Sequence, residues 1–179
     1  MSHPFKSLLA LSFCVTSAGF AQEIQPGVQA GFNLPVGDLG SAVDHSLGLQ
    51  VGGQVGIYYG NGHELRPRLD FIHYQGGWTP SGNTFSRNTI SSWLVGCDYL
   101  YYTETRPQGV YITMGLGYQW WNVAPDSGPS HNTSSLSMAA GAGYRINRSF
   151  SVEARFTTGQ FQSTNGQASA FQLLANMRF

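Results

Sequence analysis

Lysine is almost missing from this chain. Lys6 is the only one in 179 residues, and Asp, Glu, Lys and Arg together make up only 10% of the sequence. Beyond the amino-terminal segment eight arginines face nine acids, a net charge near −1 and no basic surface for nucleic acid. Cysteine is nearly as scarce. Cys14 sits near the amino terminus after Phe13, too bulky for a lipobox, and Cys97 is left alone. A single thiol forms no intramolecular disulfide even in an oxidising compartment, so Cys97 is expected to be a small apolar residue. Long hydrophobic runs are absent as well; none approaches the roughly 18 residues of a transmembrane helix. Helical periodicity is absent after residue 21.

The amino terminus has a purpose of its own. Lys6, the apolar stretch Ser7–Val15 and the small residues Gly19 and Ala21 form a secretory signal, with cleavage expected after Ala21. Residues 1–21 are therefore set apart from one domain spanning 22–179.

Period two runs through that domain. Stepping back by twos from the carboxyl terminus gives Phe179, Met177, Ala175, Leu173 and Phe171, while Arg178, Asn176, Leu174 and Gln172 lie between them. Successive strand side chains point to opposite faces, so one face of this segment is apolar. Strands are predicted at 27–34, 47–59, 63–74, 88–102, 109–121, 133–146, 149–158 and 168–179, about the length a tilted strand needs to cross a bilayer. The connections, 35–46, 60–62, 75–87, 103–108, 122–132, 147–148 and 159–167, alternate long and short without exception. An up-and-down transmembrane barrel has long extracellular loops at one end and tight periplasmic turns at the other, which is this rhythm. The fold class is therefore all-β, an eight-stranded antiparallel up-and-down transmembrane β-barrel.

Two faces can be assigned along each strand. Leu49, Val51, Ile57, Ile112, Met114, Leu116, Met138, Val152 and Phe156 fall on the bulky apolar side, and glycines mix with charge on the other. Eight strands enclose a space only just wide enough for side chains, so the bulky rows are expected to face lipid. Trp93, Tyr99, Tyr101, Tyr118, Trp120 and Tyr144 then form aromatic girdles near strand ends. The same parity sends Glu64, Arg66, Arg68, Asp70, Asp98, Arg145, Glu153, Arg155 and Arg178 inward. Such charges must pair, which predicts a salt-bridged plug rather than a selectivity lining. Pro67 cannot donate to a ladder inside a closed barrel, so a bulge at the periplasmic rim is expected there.

With the signal, the strands and the terminal FQLLANMRF in place, the chain resembles the small outer-membrane β-barrel family, the OmpX-like barrels and the OmpA transmembrane domain. VQAGFNLPVGDLG and LRPRLDFIHY look like that family's first and third strands. The resemblance implies delivery by periplasmic chaperones and insertion by the barrel-assembly machinery, which reads a final strand similar to 171–179, with Phe171, Leu173, Met177 and Phe179 as its apolar face. It also implies an integral outer-membrane location in contact with lipid and lipopolysaccharide, and a monomer. The chain ends at Phe179, so the peptidoglycan-binding domain of full-length OmpA-like proteins, and wall tethering by that route, are not expected.

Some eight-stranded relatives modify lipid A, so catalysis has to be weighed. Hydrolysis needs a nucleophile and base in reach of each other, oriented by a third group. His45 and His131 lie in long loops, His63 at a turn and His73 at the outward end of strand three, and none has a serine two positions away on the same face. No His, Cys or carboxylates occur at metal-ligand spacing on one face. No enzyme, metal or cofactor is expected. The long loops are the remaining functional surface, with Trp78, Phe85 and Trp121 as candidate contacts for an unknown surface ligand. The expected function is thus a non-enzymatic barrel acting in envelope integrity or surface interaction. The alternatives are a narrow channel for small or apolar solutes, a lipid A-modifying enzyme and a soluble lipocalin-like binder with its bulky faces turned inward.

Overall fold

The computed structural model describes residues 23–75, 78–81, 84–125, 130–161 and 166–179. Residues 1–21, where a signal is expected, lie outside them. Strands β1 (Glu23–Val36), β2 (Gly48–Gly60), β3 (His63–Tyr74), β5 (Thr84–Tyr102), β6 (Gly109–Pro125), β7 (His131–Arg145), β8 (Phe150–Phe161) and β9 (Gly166–Arg178) pair antiparallel with their neighbours. A short β4 (Trp78–Ser81) pairs only with the start of β5. The first and last strands close the ring, β1 with β9 from Gly27↔Arg178 to Val36↔Ser169, and β3 pairs directly with β5 from His63↔Tyr101 to Tyr74↔Ile90, which leaves β4 outside it. The result is a closed eight-stranded barrel. Closure leaves none of the eight barrel strands at an open edge, the condition for sheet to lie in hydrocarbon. Among the described residues no helix is long and apolar enough to cross a membrane.

The two faces divide as alternation requires. Leu49, Ile112 and Phe156 are 57%, 51% and 38% exposed, while Arg68 and Glu153 are 5% and 1% exposed. The apolar rows are therefore the outside of the barrel, and a lipocalin-like arrangement with a greasy centre does not exist. Ile57 departs from its row: it is buried between its partners Ile24 and Leu65, beside the register shift that ends β2 at Tyr58/Gly60.

Three expectations are corrected. Pro67 makes no bulge. The β2–β3 register is the same before and after it, Gln54↔Arg68 and Ile57↔Leu65, with only the pairings between them missing. A proline removes one N–H without adding a residue, so the ladder skips a rung instead of slipping. The segment 75–87 is not an open loop throughout, because β4 and the start of β5 form a hairpin in it. Nor is 35–46 an open loop. β1 continues to Val36, and a short helix α1 (Gly37–Ala42) turns back over the barrel mouth.

Helix α1 buries Leu39, and Val43 follows it in, one helical turn later on the same side. Both pack with Ile72, Tyr74, Ile90, Trp121, Ala168 and Ala170 in an apolar cluster inside the outer mouth. Gly37, Asp44 and His45, at the ends of this segment, adopt left-handed backbone with φ of 61°, 52° and 53°. The Asp38 carboxylate accepts the Gln167 backbone N–H at 2.8 Å and ties the helix to β9. Truncating Leu39 to alanine leaves a cavity under the cap and is expected to destabilise the barrel by about 2–4 kcal/mol. The midpoint of urea unfolding in lipid vesicles, against Ser41→Ala on the exposed side of α1, measures it.

Candidate functional site

The lumen is built from inward positions that alternate with outward-facing ones along the strands. All nine charged residues assigned to it are buried, five arginines against four carboxylates. They fall into two connected layers. Near the periplasmic end, Glu64 forms ion pairs with Arg178 at 2.7 Å and Arg145 at 3.5 Å, and accepts the Tyr102 hydroxyl at 2.9 Å. Arg145 also donates to Gln25 Oε1 at 2.7 Å and stands 5.8 Å over the Tyr102 ring.

Asp98 is the hub of the middle layer. Its carboxylate meets Arg66 at 2.8 Å, Arg68 at 3.0 Å and Arg155 at 3.2 Å. Arg66 and Arg155 also reach Glu153, at 2.8 and 3.4 Å. Arg68 pairs with Asp70, which accepts from Gln29 as well. Tyr111 donates to Glu153 at 2.9 Å, and Arg155 donates to Gln172 at 2.6 Å. Buried ions are costly unless paired in good geometry, and each of the nine here has an oppositely charged partner.

Glycines give the long side chains their room. A Cβ on Gly115 would strike the Asp98 carboxylate, one on Gly56 would lie 2.6 Å from the Arg178 guanidinium, and one on Gly143 would enter the Tyr111 ring. Above the charges Gln119 donates to Ser92 at 2.8 Å, Asn33 and Gln50 are buried, and the apolar cap follows.

The remaining candidates fall elsewhere. Trp121, expected to contact a ligand from a loop, is 3% exposed and belongs to the cap. It shares the parity of Tyr111, Thr113 and Gln119, and β6 runs on to Pro125, so the alternation that holds below carries Trp121 inward as well. The side chains of Trp78 and Phe85 lie outside the described residues. Phe171, Leu173, Met177 and Phe179 all face outward along the closing strand, and the Phe179 N–H donates to the Pro26 carbonyl at 2.9 Å.

The histidines lie outside the lumen network. His63 Nδ1 is 2.5 Å from the Tyr99 hydroxyl, His73 lies on the outward face 6.4 Å from the Phe71 ring, and His45 and His131 are exposed. Among the described residues no group of three or more His, Cys, Asp or Glu could hold a metal ion.

Inspection of single positions missed the neutral partners, Gln25, Gln29, Tyr102, Tyr111 and Gln172, although the same period-two parity marks them. It also missed Leu39 and Val43, whose four-residue spacing was the available signal.

Residues 7–179 match the model of the outer membrane protein beta-barrel domain. The chain belongs to that family. Its place is the outer membrane, and its apolar rows are the surface turned to lipid. Among solved structures it is similar to Ail, the attachment invasion locus protein of Yersinia pestis, in complex with the heparin analogue sucrose octasulfate. Identity there is 13%, over 88% of this chain and 100% of that one, with a TM-score of 0.65. Neisserial surface protein A is 15% identical over 87% and 97% of the two chains, with a TM-score of 0.59. The N-terminal barrel domain of Pseudomonas aeruginosa OprF is 15% identical over 87% and 97%, with a TM-score of 0.55. At these identities the likeness is one of fold. No curated relative matches.

Proposed function

We propose that this protein is a non-enzymatic, monomeric barrel that serves the outer membrane as a sealed scaffold, acting in envelope integrity or surface interaction through its outer end. One observation carries the reading: the lumen is occupied by paired charges through its lower and middle parts and by the α1 cap at its mouth. A barrel of eight strands has little lumen to spare, and these side chains take it. Conduction of small or apolar solutes is correspondingly disfavoured. The purified barrel in planar bilayers is expected to give no steady conductance steps, and stable unitary steps would refute the sealed scaffold. Cells lacking the protein are expected to become more sensitive to detergent and to large antibiotics.

The composition of the outer segments narrows the surface role. Residues 35–46, 75–87, 122–132 and 159–167 carry Asp38, Asp44 and Asp126 against Arg87. Ail is seen with a sulfated sugar, but the acidic balance of these segments offers a polyanion little to pair with, so an uncharged or cationic loop partner fits better. Biogenesis follows the family's pattern in this reading. The signal is removed after Ala21, periplasmic chaperones carry the chain, and the assembly machinery takes the strand bearing Phe171, Leu173, Met177 and Phe179. Lipid and lipopolysaccharide surround the finished barrel.

A further inference from the structure

The outward face of β5, β6 and β7 changes character with height. Its middle rows are apolar: Leu116 stands between its partners Cys97 and Met138, and Tyr118 between Val95 and Leu136. The next row pairs Trp93 directly with Trp120, and Trp120 with Ser134; the row above holds Ser91, Asn122 and Asn132. At about 3.4 Å per residue and a tilt near 40°, the climb from Val110 to Trp120 covers roughly 25 Å, the height of the apolar band of such a barrel. The tryptophan row thus stands where hydrocarbon gives way to headgroups, at the end of the barrel opposite the short turns.

Ser91, Trp93, Trp120, Asn122, Asn132 and Ser134 line a shallow, open groove on this face. Both indoles are open, Trp93 at 52% and Trp120 at 40% exposure. Their planes are held from the side. Phe71 packs 4.9 Å from Trp93, Tyr118 meets Trp120 edge-on at 4.9 Å, and the Tyr118 hydroxyl is bound to Ser134 at 2.7 Å. Asn122 donates to Asn132 Oδ1 at 2.9 Å, which leaves the Asn122 oxygen and the Asn132 amide hydrogens for a ligand. Among the described residues no charged side chain lines the groove.

We propose that this groove binds the saccharide headgroup of an outer-leaflet glycolipid. The negative face of an indole attracts the C–H face of a pyranose ring. The asparagines and serines above supply donors and acceptors for its hydroxyls, and the Leu116, Leu136 and Met138 rows below receive its acyl chains. The vertical order apolar, aromatic, amide matches that of an acylated sugar. Among the described residues lining the groove there is no Arg or Lys to pair with a phosphate. The proposal rests on the reading of the protein as a barrel that works through its outer-leaflet surface.

The test reconstitutes the mature barrel in phosphatidylcholine nanodiscs doped with a short-chain lipopolysaccharide, the same molecule stripped of phosphate, or phosphatidylglycerol, and counts retained lipid by native mass spectrometry. Both glycolipids are expected to be retained at least about tenfold over phosphatidylglycerol. Trp93→Ala/Trp120→Ala should abolish that preference, and Trp93→Phe/Trp120→Phe should keep most of it. A heat-shifted gel band checks that each variant folds. Equal retention of phosphatidylglycerol, loss of binding on dephosphorylation, or unchanged preference in the alanine pair would overturn the site. The wild-type comparison stands even if a variant fails to fold. Conductance steps, in contrast, would sink the sealed scaffold without touching lipid retention, so the two failures are distinguishable.

Discussion

Leu116→Arg is expected to lower the unfolding free energy of the barrel in phospholipid vesicles by about 2–4 kcal/mol, the cost of an arginine facing lipid at the bilayer midplane. Leu116 is well exposed on the outer face and sits midway up β6, with Cys97 and Met138 on either side. The same change at Trp120, at the interface, should cost only about 0–1 kcal/mol. Reversible urea titration followed by tryptophan fluorescence measures both. A soluble barrel would tolerate an outward arginine at either height, so the difference between the two positions carries the result. Equal, small effects would mean that the Leu116 row does not touch hydrocarbon.

Asp98→Ala comes next in size. This carboxylate answers Arg66, Arg68 and Arg155 at once. Removing one partner from a buried ion pair leaves uncompensated charge and typically costs about 3–5 kcal/mol. Here five lumen arginines would face three acids instead of four, and the barrel should lose stability in that range or fail to assemble. Folded fraction by heat-shifted gel mobility, then urea midpoint, gives the reading. Pairing Asp98→Ala with Arg66→Leu should recover part of the loss, because one orphaned cation is removed along with the acid. A single variant as stable as the wild type would show that the other acids satisfy all three arginines.

Both predictions use faces assigned by alternation alone. A strand gives its side chains two choices, and these strands take them with little deviation, so the inward charges and outward apolar rows could be named position by position. Charge pairing was foreseeable in kind but not in partner. Asp98 meets Arg155 from β8, 57 residues away, and no spacing rule reports a contact made across a lumen. The cap is a different case. Leu39 lies in a six-residue helix and Val43 just after it, a stretch too short for its periodicity to stand out against the flanking strands. Trp121 is a related case: it ends the strand expected over 109–121, whereas β6 runs on to Pro125 and the alternation carries the indole inward.

Sequence was sufficient wherever the information is local. Polarity at period two, loops of unequal length and an aromatic terminus identify a barrel, its lipid-facing surface and its strand count, because each strand carries its own two-sided pattern whatever its partners do. Tertiary structure was needed wherever separate strands meet. It decided which acid answers which arginine, that Pro67 costs the ladder a rung without shifting it, and that the first long connection folds inward as a cap. Those outcomes depend on closing the sheet, which fixes distances between residues that the linear chain leaves free.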